Sequence, residues 1–367
     1  MRASLLGSMV AGSLGVLAVL RYICQPYLDG LDGGPYIDLF KTPTGQSDAR
    51  EMLNSLVNAT VGDTGQAANL AFVKTHKTGS TTEAALFVRY AQRHGLTWAQ
   101  YGGEPRHIAP IAVTAPKILK KVGRVDVMHY HMSTRPDWAT APWEVNDRLY
   151  RSIMRDPDHI NYVTILREPR EHLISWYYYF LQNKYEMSIQ DFFAHQDPNS
   201  DDFRRLVNPS AVEFGIESAD QVEPFFDSAL STFKLVMLTE RFDEGLCLLR
   251  HLMGWHLIDI AYISSNESKK TNKPHFDDLP QEVQTRIDEM TAVDREIYER
   301  AVAMYEKTLA PLAREVEEDL APFRDLQRIV RSYLSRNSTS LAHEIYDVGG
   351  IVGAHGFYPS ANVSYDF

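Results

Sequence analysis

The chain has 367 residues, 44% of them hydrophobic and 23% charged, enough apolar residues for a sizeable core; fibrous, collagen-like and wholly disordered chains are excluded. Its 37 Lys and Arg against 48 Asp and Glu give a formal charge of -11, so a nucleic acid or a sulfated polymer is repelled unless a local basic patch receives it. Two cysteines, Cys24 and Cys247, exclude a disulfide framework but not export.

The N-terminal run from Ala3 to Leu20 carries no formal charge and resumes after Arg21 as Tyr22, Ile23 and Cys24. A helix of 18 to 22 residues spans roughly 27 to 33 Å, close to a hydrocarbon core of about 30 Å, so residues 1–24 read as a signal-anchor transmembrane segment. A cleaved signal peptide, with small residues around Ala11 to Gly15, and a buried or disordered tail are the other readings. Arg2 and Arg21 lie on opposite sides of the run and do not orient it. Residues 25–66 carry Pro, Gly and Asp at short intervals and read as a stem. Sequons at Asn58, Asn266, Asn337 and Asn362 agree with a lumenal domain on such an anchor.

A catalytic domain is expected over residues 67–310, followed by a helical extension and tail over 311–367. Its first unit is a strand from Leu70 to Val73, a turn KTHKTGST, and a helix from Thr81 whose Ala84, Ala85, Val88 and Ala91 are placed to face inward. Strand, polar turn and helix make a phosphate cradle, because the first helix amides are unpaired and carry the positive end of the dipole. Lys77 adds a mobile charge, Thr78, Ser80 and Thr81 add hydroxyls, and Gly79 lets the backbone approach an anion. The pattern is not a Walker loop, because Lys77 precedes Gly79 and no glycine stands in the preceding turn.

The second unit, GRVDVMHYHM, is a strand ending at His129 and His131, which share a face while the strand lasts. An imidazole at a strand's carboxyl end suits a general base; two structural histidines, or half of a zinc site lacking a third ligand, are the other readings. The third unit is a strand from Tyr162 to Leu166, then Arg167, then a helix opened by Pro169 that carries Ser175 and an aromatic run from Trp176 to Phe180 expected in the core. Arg167 suits bidentate phosphate binding, with Ser175 adding a hydroxyl bond. The fourth unit is a strand from Leu235 to Leu238 and an amphipathic helix from Phe242 to Leu252 with Cys247 in or near the core. A polar segment with Lys269, Lys270, Thr271 and Lys273 follows, either a solvated loop or a cluster able to overcome the acidic background.

Taken in order, FVKTHKTGSTT, VDVMHYHM, ILREPREHLISWYYYF and LVMLTERFDEGLCLLRHLMGW resemble the Golgi carbohydrate sulfotransferases, most of all the galactose 3-O-sulfotransferase family that includes galactosylceramide sulfotransferase. EIYERAVAMY adds a weaker match. The resemblance implies an α/β, parallel-sheet sulfotransferase fold related to P-loop nucleotide-binding folds. It also implies the co-substrate 3'-phosphoadenosine 5'-phosphosulfate (PAPS), with adenosine 3',5'-bisphosphate as product and no metal. Lys77, Thr78, Gly79, Ser80 and Thr81 would hold the 5'-phosphosulfate, and Arg167 and Ser175 the 3'-phosphate. Lys269, Lys270 and Thr271 are similar to a phosphate-contacting loop of uronyl 2-O-sulfotransferases. His131 is similar to the base in the H-x-H pattern of that related group, although this chain has HYHMSTR where galactose-specific members often show adjacent histidines followed by arginine. The implied location is the Golgi membrane, single-pass type II, with the catalytic domain in the lumen and a glycolipid or glycan acceptor.

The implied chemistry is in-line displacement at sulfur, with the 3-hydroxyl of galactose as the expected acceptor. His131 takes the hydroxyl proton, with His129 beside it, and Lys77 neutralises the charge growing on the departing phosphate oxygen. Competing classes are a phosphate-handling transferase or kinase, a uronyl 2-O-type glycosaminoglycan sulfotransferase, and a non-catalytic glycan-binding relative.

Overall fold

A computed structural model of the chain describes residues 69–100, 118–120, 123–131, 143–262, 273–336 and 356–357. The expected anchor, stem, four sequons and the segment containing Lys269, Lys270 and Thr271 lie outside these residues. Among the described residues no helix is long and apolar enough to cross a membrane.

The architecture is mixed α/β, built on a parallel sheet. In chain order the strands are β1 (Leu70–Lys74), β2 (Trp98–Gln100), β3 (Val127–His131), β4 (Asn161–Leu166), β5 (Leu235–Leu238) and β6 (Gly356–Phe357), arranged as β5-β4-β1-β3-β2-β6 with every pairing parallel. The helices that position the site are α1 (Ser80–Arg93), α2 (Trp143–Ile153), α3 (Pro169–Trp176), α4 (Pro209–Phe214), α5 (Phe242–Met253), α6 (Ala292–Leu309) and α7 (Ala313–Arg336). The central strands are near-continuous apolar runs, as strands covered on both faces require.

Alternation along the strands divides the core into two layers. Leu70 and Phe72 of β1, Val163 and Ile165 of β4, and Leu235 and Met237 of β5 pack with α1, α5 and α7 through Phe87, Tyr90, Leu246, Leu249, Leu320 and Phe323. Ala71, Val73, Tyr162 and Val236 face the other way, against Trp143, Tyr150, Phe214 and Phe225. Helix α6 lies along β5 and contributes to both layers, Ile297 and Ala301 to one, Tyr305 and Leu309 to the other. Three of the four α1 residues expected inside are buried; Ala85 is exposed, because the buried stripe runs through Glu83, Phe87 and Tyr90 instead. Cys247 is fully buried in the α5 layer, where burial raises its thiol to about 12.

The connections fix where a ligand can enter. From β1 the chain proceeds through α1 to β2 and β3 on one side; from β4 it proceeds through α3 and α4 to β5 on the other. Adjacent parallel strands whose following connections diverge leave a crevice at their carboxyl ends, here between β1 and β4. The lysine-rich turn and Arg167 both leave the sheet at that point.

Candidate active site

The turn after β1 is closed by its own hydroxyls. Thr75 Oγ1 donates to the carbonyl of Ile165 in β4 (2.5 Å) and lies 2.8 Å from Thr78 Oγ1, while Ser80 Oγ donates back to the carbonyl of Thr75 (2.5 Å). Thr239, just after β5, donates to the carbonyls of Thr78 (2.7 Å) and Leu166 (3.0 Å) and so ties three strand ends together. The turn bends through the left-handed region at Lys77 (φ 59°) and Gly79 (φ 86°), and a Cβ on Gly79 would touch the Phe242 ring at 3.5 Å. Thr78 and Ser80 are buried with their hydroxyls engaged inside the loop, whereas Gly79 and Thr81 are exposed at the start of α1. The loop therefore presents mainly backbone amides and the Lys77 ammonium outward.

Three cations converge there. Arg167 Nη1 donates to the Lys77 carbonyl at 3.2 Å, and its buried Nε has no hydrogen-bond partner among the described residues. Burial, then the nearby Arg167 and Lys273, hold the Lys77 ammonium down to about 8; burial and Arg167 likewise lower Lys273. Two lysines whose charge is disfavoured by burial and by neighbouring cations, beside a buried N–H without a partner among the described residues, fit an anion. Glu171, one turn into α3, gathers this side of the site. Its carboxylate lies 3.6 Å from both Arg167 and Lys273 and accepts the Phe276 amide at 2.9 Å.

Lys273 and Glu171 extend the set read from sequence. Lys273 belongs to the basic segment whose Lys269, Lys270 and Thr271 are outside the described residues, and Glu171 stands four residues after Arg167, the spacing of facing residues on a helix. Ser175 is half-buried on α3, in the same strand–helix unit as Arg167. The aromatic run divides where α3 passes into a π-helical turn, Tyr177–Leu181. Trp176, Tyr177 and Tyr178 are core, but Tyr179 is 51% exposed with the Lys77 ammonium 3.4 Å from its ring centroid.

The two β3 histidines lie level with β1: Phe72 pairs with His129 and Lys74 with His131. His129 is buried, and burial, then the charge of Lys74, hold its imidazole well below its ordinary range, so it is neutral. Burial also lowers Lys74 to about 8. The backbone of His131 closes β3; its imidazole is outside the described residues.

A third imidazole stands in the loop itself. His76 donates its backbone N–H to both carboxylate oxygens of Glu213 (2.8 and 2.9 Å), and its Nδ1 is 2.5 Å from Glu213 Oε1. No local pattern connects positions 76 and 213; only α4 brings the carboxylate to the loop. Among the described residues no group of three or more His, Cys, Asp or Glu is arranged to hold a metal.

The family model described as galactose-3-O-sulfotransferase matches residues 9–344. The chain is 28% identical to galactose-3-O-sulfotransferase 3 of Mus musculus over 285 residues, covering 71% of this chain and 62% of the relative. It is 25% identical to galactosylceramide sulfotransferase of Homo sapiens over 294 residues, covering 75% and 66%. With galactose-3-O-sulfotransferase 2 of Homo sapiens it shares 27% identity over 248 residues, covering 63% and 58%. The alignments thus span about three fifths of the length of these relatives. With a model match across most of its length, and with its motifs gathered at one sheet edge, the chain belongs to the galactose-3-O-sulfotransferase family.

Proposed function

We propose that the protein transfers a sulfuryl group from PAPS to a sugar hydroxyl, the 3-hydroxyl of a galactose on a glycolipid or glycan. The observation that carries this reading is the convergence of Lys77, Arg167 and Lys273 on the amide-lined turn at the β1/β4 crevice. Family membership supplies the transferred group. Bound PAPS would contribute an activated sulfuryl whose S–O bond to phosphate breaks in the transfer.

The chain's own residues then divide the work. The turn from Lys77 to Thr81 binds the 5'-phosphosulfate, with Lys77 placed to neutralise charge that develops on the leaving phosphate oxygen. Arg167, Ser175 and Lys273, with Lys269, Lys270 and Thr271, hold the 3'-phosphate, for which the buried Arg167 Nε–H is the clearest open donor. His131 takes the proton of the attacking hydroxyl, and His129 supports that strand end from the core.

The same reading places residues 1–24 as a Golgi signal-anchor, 25–66 as stem, 67–310 as lumenal catalytic domain and 311–367 as extension and tail. Membrane extraction and protease protection of the full chain in intact vesicles test that topology: digestion of the catalytic domain from the cytosolic side overturns it. The activity is tested by transfer of labelled sulfate from PAPS to a panel of galactose-terminated glycolipids and glycans, with linkage analysis of the product. Transfer to the galactose 3-hydroxyl is the expected result; no donor-dependent transfer to any member overturns the reading.

A further inference from the structure

The segment from Lys273 to Leu279 contains a single turn of 3-10 helix, Phe276–Asp278, yet it is held from several directions. The Asp278 carboxylate accepts the His275 amide at 3.1 Å and closes a capping box across the turn. From the helix Gln281–Met290, Gln284 Nε2 donates to the carbonyls of Phe276 (3.3 Å) and Leu279 (2.9 Å). From α3, Arg170 stands 4.7 Å above the Phe276 ring and pairs with Asp288 at 2.7 Å. Phe276 and Leu279 pack against a core cluster that includes Leu173 and Ile174 of α3.

The polar tie between this segment and the site is Glu171. Its Oε1 accepts the Phe276 amide at 2.9 Å and lies 3.4 Å from His275 Nδ1, while its Oε2 lies 3.6 Å from both Arg167 Nη2 and Lys273 Nζ. The two oxygens thus act differently. One is hydrogen-bonded to the backbone of the segment; the other faces two cations at a separation longer than a hydrogen bond. It balances their charge without engaging the donors that an incoming anion needs, and the buried Arg167 Nε–H has no partner among the described residues. Arg167 and Lys273 repel each other. Of the two, Arg167 is fixed between β4 and α3, so the placement of Lys273 depends on how its segment is docked.

We propose that Glu171 is a positioning residue for the nucleotide: by holding the Phe276 amide it docks residues 273–279 on α3 and sets Lys273 beside Arg167 before a 3'-phosphate arrives. The role rests on the sulfuryl-transfer reading, in which those two cations hold that phosphate; the docking does not. A carboxylate without this role is only a negative charge beside an anion site, and its removal should tighten phosphate binding. The sign of the effect therefore separates the two accounts.

Glu171→Ala removes tether and charge together, whereas Glu171→Gln removes the charge and keeps an oxygen that accepts from Phe276. Calorimetry on the full-length protein in detergent should show adenosine 3',5'-bisphosphate binding weakened by about 5- to 20-fold in Glu171→Ala and by about 2- to 5-fold in Glu171→Gln, because a cation that must be ordered on binding contributes less. AMP, which lacks the 3'-phosphate, should change by less than about twofold in either variant. Hydrogen exchange of the nucleotide-free proteins, read by mass spectrometry, should be faster over residues 273–279 in Glu171→Ala and near wild type in Glu171→Gln. Three results overturn the proposal: unchanged exchange over 273–279 in Glu171→Ala, bisphosphate binding equal to or tighter than wild type in that variant, or an equal loss for AMP and the bisphosphate. A wild type that binds AMP and the bisphosphate alike rejects the 3'-phosphate assignment instead, and the exchange data still decide whether Glu171 docks the segment.

Discussion

The Lys77 ammonium lies 3.4 Å from the centroid of the Tyr179 ring, a contact created where α3 passes into its π-helical turn. A lysine side chain has four rotatable carbons, and a ring under the ammonium restricts where they point. Such contacts contribute about 0.5 to 2 kcal/mol, depending on desolvation. Tyr179→Ala should therefore weaken adenosine 3',5'-bisphosphate binding by roughly 2- to 10-fold, while Tyr179→Phe, which keeps the ring face, should stay close to wild type. Titration calorimetry on the three proteins measures this. Equal affinities would make the ring a bystander.

The charge of Lys77 also gives nucleotide binding a pH signature. Burial, Arg167 and Lys273 hold the ammonium at about 8 in the free protein, and a bound phosphate oxyanion favours its protonated form. The bound state therefore holds more protons than the free state above that pH. Affinity should be nearly flat between about pH 7 and the free-protein value, then fall by up to tenfold per pH unit beyond it. Working above about pH 7 keeps the second ionisation of a phosphate monoester, near 6, out of the window. Lys77→Arg should flatten the alkaline limb, since guanidinium stays charged. An alkaline limb that persists in Lys77→Arg assigns it to another group, such as Lys273.

Discrimination for the 3'-phosphate should reside in Arg167 and Lys273. Charge-assisted hydrogen bonds are worth about 1.5 to 3 kcal/mol, so loss of either cation should cost on the order of 10- to 100-fold in affinity for adenosine 3',5'-bisphosphate. AMP, which lacks that phosphate, should bind wild type weakly and be little affected by either substitution. Glu171→Gln should act less strongly, because its amide oxygen can still accept from Phe276 and only the contacts to Arg167 and Lys273 lose a charge. If Arg167→Ala weakens AMP and the bisphosphate nucleotide equally, Arg167 serves the 5' side.

How much of this could be read from sequence depends on how far apart the partners lie. β1, β4 and β5 were legible to within a residue because strands covered on both faces are short, apolar and bounded by turns. The turn from Lys77 to Thr81 was legible because strand, loop and helix are contiguous. The pairing of His76 with Glu213 was not, because it depends on α4 being pinned by Asp294, and nothing in the local pattern around Pro209 records that contact. The aromatic run after Ser175 reads as uniform core; the π-helical turn rotates one ring of the run, Tyr179, out to Lys77, and side-chain identity alone does not encode that change of period.

The buried His172 should leave a signature in acid stability. Its folded value is about 4, below the ordinary 6.5, because burial opposes its charge. Between those values the unfolded chain binds a proton that the folded chain does not. The contribution is therefore fully present above about 6.5 and is lost as pH falls toward 4. Asp294 acts in the opposite sense, because burial raises it to about 7 and the folded chain holds the extra proton between the ordinary carboxylate value and 7. The informative quantity is thus the difference between wild type and His172→Gln. Melting temperatures from pH 4 to 7 should fall less steeply on acidification in the variant than in the wild type, although the variant is less stable at pH 7. Parallel curves would mean that His172 protonates without penalty.

The two histidines of β3 should separate by what their removal damages. His129 is buried opposite Phe72 and held neutral by burial and by Lys74, so His129→Ala opens a hole in the core layer beneath α1. His131 ends the strand level with Lys74, at the carboxyl edge where the β1 turn begins. If His131 is the base proposed for the sugar hydroxyl, its loss should reduce single-turnover transfer by roughly 10² to 10⁴ while nucleotide affinity and melting temperature change little. His129→Ala should instead lower the melting temperature and reduce turnover less than His131→Ala. Lys77→Ala should damage both nucleotide affinity and turnover, because its charge meets the ground-state anion and the larger charge on the leaving oxygen. Single-turnover rates at saturating donor and acceptor, paired with nucleotide titrations on each folded variant, measure all three. Near-wild-type chemistry in His131→Ala would remove it as the base.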